Sequence, residues 1–133
     1  MDDRTSRNCF VCGSENTSGL QAQFLVSNGA ASTSFVPQRK HEGLGDVVHG
    51  AILMALLDEA MSKAASSLGS AVVTAEIIVR FKKPAKIGSE LHVSARCADG
   101  RNKRVVECSA EIKEAGSDIV IAWAKGRMFI SRG

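Results

Sequence analysis

Apolar and polar side chains begin to alternate at Leu20. Leu20, Ala22, Phe24 and Val26 take every second place, with Gln21, Gln23 and Leu25 between them. After Asn28-Gly29 the same period returns at Ala31, Thr33 and Phe35. A period of two belongs to a strand with one buried face. Asn-Gly between two such runs accepts the positive φ angles of a tight hairpin turn, and Pro37 ends the second run. The period then lengthens. From Gly50 to about Leu68, the residues Ile52, Leu53, Leu56, Leu57, Ala60, Met61, Ala64 and Leu68 recur at helical steps, which predicts one long helix closed by Gly69. Only Asp58, Glu59 and Lys63 carry charge in its body, so the helix is expected to be wrapped by other structure.

Everything beyond the helix reads as strand. Val73, Ala75, Ile77, Val79 and Phe81 fall on one face, and Thr74, Glu76, Arg80 and Lys82 on the other. Pro84 and Gly88 mark a turn, and Leu91, Val93, Ala95 and Cys97 alternate again. Asp99-Gly100-Arg101-Asn102 is a turn, followed by alternation at Val106, Cys108, Ala110 and Ile112. Gly116-Ser117-Asp118 turns into a last strand over 119–130. Two strands, a helix and four strands joined by hairpins give an α+β architecture, a long helix wrapped by an antiparallel sheet of about six strands. Ile119, Ile121 and Trp123 are expected on the outer face, partly covered by a second copy of the chain. Residues 1–19 are polar and aperiodic and read as a lead-in lying over the domain formed by 20–133.

Composition narrows the class. The chain has 133 residues, 44% hydrophobic and 23% charged, the proportions of one globular domain. No apolar run reaches the roughly 18 residues of a membrane span, and no secretory signal is visible, so a cytoplasmic protein without membrane contact is expected. A net charge of +3 with no Tyr and one Trp argues against a nucleic-acid partner. The four cysteines are expected to be reduced, with Cys97 and Cys108 as small core side chains. Cys9 and Cys12 form a C-x-x-C pair, but structural zinc takes about four ligands. With no second pair in the sequence, a tight turn without metal is the preferred reading.

The chemistry concentrates at the helix. His49-Gly50-Ala51 opens it, where the first amides have no internal acceptor and sit at the positive end of the macrodipole. Small residues there allow a substrate oxygen to approach the backbone as in an oxyanion hole. Asp58 lies on one stripe with Ala51, Ala55, Ser62 and Ala65. A carboxylate among small residues on an enclosed helix costs free energy unless it is paired or used. A salt bridge, a dimer contact and catalysis all satisfy that condition. Glu59, about 100° further round, sits nearer Lys63 and suits a paired or solvated role. His41 and His92 are expected at the surface.

His49-Gly50-Ala51, then Leu57-Asp58-Glu59-Ala60, then Thr74-Ala75-Glu76 and Val79 to Gly88 with its Pro-x-x-x-Gly turn resemble the hotdog-fold acyl-CoA thioesterases, most closely the phenylacetate-degradation type. The lead-in Cys9-Phe10-Val11-Cys12-Gly13 with Asn16 and Gly19-Leu20 also resembles a branch of this family. The resemblance implies a hotdog fold and a homodimer or homotetramer with active sites at the interface, and hydrolysis of acyl- or aroyl-CoA with no cofactor and no metal. It implies Asp58 as nucleophile or general base, the Gly50 amide as oxyanion donor, and His49 as orienting group. Thr74, from the partner subunit, would position the water or the carboxylate. Ala51 would border the substrate, and Arg80 and Lys82 would meet the CoA phosphates, with Arg101, Lys103 and Arg104 as a rival basic cluster. Two positions depart from the family: many members carry a second Gly where this chain has Ala51, and some carry Asn or Gln in the loop that here offers Glu42 and Asp46. A non-catalytic acyl- or CoA-binding hotdog protein is the alternative.

Overall fold

The computed structural model describes residues 7–69, 71–98 and 104–130. Strands β1 (Leu25–Ser27) and β2 (Ala30–Phe35) form the expected hairpin, with Asn28 and Gly29 at φ +41° and +85°. Helix α1 runs from Gly50 to Ser66. Strands β3 (Val72–Phe81), β4 (Leu91–Cys97), β5 (Val105–Glu114) and β6 (Val120–Ile130) complete a six-stranded antiparallel sheet. The turn expected at 99–102 lies outside the described residues, as do Arg101 and Lys103 of the second basic cluster.

The strand order, β1-β2-β4-β5-β6-β3, differs from a succession of hairpins. β2 pairs with β4, and β3 goes to the far edge beside β6. The helix lies across the sheet between these two edges, so the chain leaving it enters the sheet on the side opposite to the one it came from. The first strand is also shorter than its alternation suggests. Gln21 takes φ +54°, and Leu20 and Ala22 donate their N–H groups to carbonyls of Phe10 and Val11 in the lead-in.

Leu53, Leu56, Leu57, Ala60, Met61, Ala64 and Ala65 are buried against the sheet. Ala95, Ala110 and Ala124 are paired across β4, β5 and β6, and this row of small side chains lets α1 approach closely. In the neighbouring row Gly126 leaves room for Met61, whose Cε would lie 2.9 Å from an added Cβ. Burying each leucine contributes about 1.5–3 kcal/mol.

Three expectations are corrected. Cys97 and Cys108, directly opposite in β4 and β5, are joined as a disulfide and are not reduced core thiols. Their Cα atoms are 4.1 Å apart, the close spacing of a non-hydrogen-bonded antiparallel pair. Ile121 is buried in the core, not outward like the half-buried Trp123. A register shift after Ile112 leaves Ile121 as an extra residue between the pairs Lys113–Val120 and Ile112–Ala122, and such a bulge re-aims a side chain. His41 is buried as well, at 5% exposure, because the loop before α1 folds back over it.

Candidate active site

The start of α1 is built by the loop before it. Arg39 reaches both Glu42 and Asp46, and the Asp46 N–H donates to Glu42 Oε2 at 2.7 Å. The two acids of this loop, Glu42 and Asp46, are thus both held by Arg39. The loop closes with Gly43 N–H on the Val47 carbonyl and His49 N–H on the His41 carbonyl. His41 Nδ1 accepts the Gln38 N–H at 2.9 Å, leaving its buried Nε2 without a partner. Burial lowers the pKa of His41, and the charge of Lys40 adds to the effect. Sequence reasoning missed both His41 and Arg39, because their importance comes from a loop closure that has no period.

His49 is the N-cap of α1. Its Nδ1 accepts the Ala51 N–H at 3.0 Å, so the side chain satisfies the second amide of the helix. The Gly50 amide, first in the helix, is one of the donors that helix geometry leaves unpaired. The Phe81 ring would lie 3.5 Å from a Cβ at Gly50 and walls that side. Ala51 is exposed beside it.

Asp58 is half-buried two turns further along, and its Oδ1 accepts the Thr74 hydroxyl at 2.6 Å. Thr74 was expected on the polar face of β3 with Glu76. A register shift between Thr74 and Glu76 makes Ala75 an extra residue, so Thr74 opposes the buried Met128 while Glu76 opposes Arg127. The bulge turns Thr74 toward α1. It also corrects the expectation that a partner brings Thr74 to the carboxylate, since both residues of this pair belong to one chain.

The four residues expected to act together fall into two groups. Asp58 and Thr74 form one, His49 and Gly50 the other, and eight helical residues at about 1.5 Å each separate them by about 12 Å. Ala51 belongs with the second group. Lys82 follows Phe81, and the segment after it runs beside the helix entrance, with Val48 N–H on the Ala85 carbonyl and Val47 bridged to Lys86. Arg80 joins neither group. It stands opposite Trp123, with its guanidinium 5.9 Å from that ring. Grooves of about 560 Å³, lined by residues including Thr33, Phe35 and His41, and about 350 Å³, lined by residues including His92 and Lys113, lie away from both groups.

Glu59 turns to the other flank, where it meets Lys63 at 3.7 Å and the two lead-in cysteines. Burial, with Glu59 and Cys9 adding to it and Lys63 opposing, pushes the Cys12 thiol up to about 12. No helix among the described residues is long and apolar enough to cross a membrane.

A long helix laid across an open six-stranded antiparallel sheet, with a carboxylate at mid-helix and a bare amide at its start, defines a hotdog protein. Residues 45–121 match the family model of the thioesterase superfamily, and the chain belongs to that family. It is a thioester hydrolase. A protein of Archaeoglobus fulgidus provisionally named an esterase is 29% identical over 111 residues, covering 83% of this chain and 71% of that protein. The PaaI protein of E. coli, from the phenylacetic acid degradation operon, superposes with a TM-score of 0.77 at 22% identity, over 86% of this chain and 82% of its own. A hypothetical thioesterase protein of Streptococcus pneumoniae TIGR4, solved with coenzyme A, superposes with a TM-score of 0.76 at 19% identity, over 83% of this chain and 85% of its own. Two further structures of that protein carry alanine in place of an aspartate and of a threonine sixteen positions apart.

Proposed function

We propose that the chain hydrolyses acyl- or aroyl-CoA thioesters to the free acid and CoA, and that Asp58 is the catalytic carboxylate. The Thr74–Asp58 hydrogen bond carries this reading. By donating to Oδ1, Thr74 fixes the carboxylate and orients Oδ2 outward. That oxygen either takes a proton from the attacking water or attacks the carbonyl itself. In the first case the water oxygen bonds to the acyl carbon as its proton passes to Asp58. The C–S bond then breaks with its electron pair on the CoA sulfur, which takes the proton back. The negative charge on the carbonyl oxygen in between would rest on the Gly50 amide, with His49 orienting the thioester and Ala51 bordering the approach. The separation of the altered aspartate and threonine in the pneumococcal protein equals that of Asp58 and Thr74, which supports treating these two as one unit.

A single thioester carbonyl spans far less than about 12 Å, so one chain's Asp58 and Gly50 serve different sites. The reading is therefore a homodimer, in which Asp58 and Thr74 of one protomer face His49 and Gly50 of its partner, with a homotetramer as a pair of such dimers. The edge of β3, unpaired among the described residues, supports it, as do the exposed Met54 on α1 (38%) and Ile78 on β3 (54%). Lys82, beside the helix entrance, is the better placed of the two basic candidates for the CoA phosphates. Arg80, committed to Trp123, is the weaker. A CoA ester as substrate favours a cytoplasmic location.

The test is Asp58→Asn assayed against short, medium, long and aromatic acyl-CoAs. Turnover is expected to fall about 10²–10⁴-fold with the fold intact. Undiminished turnover removes Asp58 from the mechanism.

A further inference from the structure

The lead-in is a built loop. The Gly13 N–H donates to the Cys9 carbonyl at 2.9 Å, and the Cys12 N–H donates to the Cys9 sulfur at 3.4 Å. A Cβ on Gly13 would come within 2.4–2.7 Å of backbone atoms of Cys9 and Arg7, so only glycine closes this turn. Val11 is buried beneath it and anchors the loop to the core. Both sulfurs are thereby held over α1, where Glu59 rises to meet them. One ligand atom each from Cys9, Cys12 and Glu59 lie within 4.8 Å of one another, all three residues half-buried.

From this juxtaposition we propose that Cys9, Cys12 and Glu59 bind one thiophilic divalent cation of the zinc class per chain, with a fourth position open to water. Zinc–sulfur bonds of about 2.3 Å and zinc–oxygen bonds of about 2.0–2.2 Å place tetrahedral donors about 3.5–3.8 Å apart. From within 4.8 Å, the three side chains reach that spacing by closing at most about 1 Å, a small change of side-chain torsion. The charges also match. Two thiolates and a carboxylate leave a dication one negative charge in excess, and Lys63, whose Nζ is 3.7 Å from Glu59 Oε2, supplies the compensating positive charge. Binding releases the two thiol protons to solvent and moves no electrons, so no oxidant or reductant is needed. The ion ties the lead-in to the turn of α1 that also carries Asp58, and this does not depend on what Asp58 does. The preference for a metal-free turn, drawn from the missing second pair of ligands, is reversed here because the third donor comes from a helix about fifty residues away.

The experiment uses the full chain, reduced and stripped with a chelator, then titrated with Co²⁺ and afterwards Zn²⁺. A thiolate-to-cobalt charge-transfer band is expected to saturate at one ion per chain, to be bleached by Zn²⁺, and to be absent from Cys9→Ser/Cys12→Ser. No band in the wild type overturns the proposal. So does a band that survives in the double variant, since Cys97 and Cys108 would then be its source. Glu59→Gln keeps both thiols and is expected to weaken Co²⁺ binding by about tenfold or more. Unchanged affinity in that variant overturns the three-donor site.

Discussion

A hydroxyl that donates to one oxygen of a carboxylate does more than a contact area would suggest. It fixes the carboxylate's orientation and leaves a single oxygen to act. Hydrogen bonds to charged groups are worth about 1.5–3 kcal/mol, so Thr74→Val is expected to lower kcat about tenfold or more, while Thr74→Ser retains most of it. Steady-state rates for the two variants on one acyl-CoA check this. At His41 the expectation concerns stability. The folded state holds this imidazole neutral, with its pKa lowered by burial and by Lys40. The unfolded chain takes up the proton near the ordinary value of 6.5. The contribution of neutral His41 is therefore fully present above about pH 6.5 and is lost as the pH falls through the folded-state value. Urea midpoints measured from pH 7.5 to 5 should fall across this range. They should fall less for His41→Asn, whose oxygen still accepts from Gln38 and does not titrate.

Among the elements, β3 shows how one extra residue sets a side chain's direction. Ala75 has no opposite number on β6, and so Thr74 and Glu76 point to opposite faces. Deleting Ala75, the one residue of this stretch without a partner, is expected to regularise the strand and leave Thr74 opposite Met128. Turnover should then stay well above that of Thr74→Val, because Thr74 still faces Asp58, while circular dichroism keeps its strand signature. The alanine row beneath α1 carries a different prediction. Ala124 is fully buried between helix and sheet, and Ala124→Leu should destabilise the protein by about 1–3 kcal/mol through overpacking, as read by denaturant unfolding.

For the whole molecule the unpaired β3 edge and the split of the site are one problem. A strand edge with apolar neighbours is a place for another chain to add, and in the proposed dimer a second copy related by a two-fold axis would bring the helix start of one protomer toward Asp58 of the other. Ile78→Asp should shift the protein toward monomers in sedimentation and lower activity together with it. Mixing inactive Asp58→Asn with inactive His49→Ala and allowing protomers to exchange should restore about a quarter of wild-type activity. Each mixed dimer would then hold one site with both native residues. No restoration would mean that both residues act within one chain.

The sequence by itself determined what depends on neighbours along the chain. The period-two runs gave the strands, the helical period gave α1 and its buried face, and Asn28-Gly29 gave the hairpin turn. The carboxylate among small residues marked Asp58, and His49-Gly50 marked the helix entrance. Only the tertiary structure decided what depends on which strand lies beside which, and in what register. Alternation alone put Thr74 on the face of Glu76 and Ile121 on that of Trp123, because a bulge arises where two distant strands fall out of step. Cys97 and Cys108 read as core residues until pairing set them opposite each other. Glu59 looked only like a partner for Lys63 until the lead-in folded over it. Local period fixes which way a side chain points relative to its neighbours, whereas the residues it meets are chosen by contacts that bridge tens of positions.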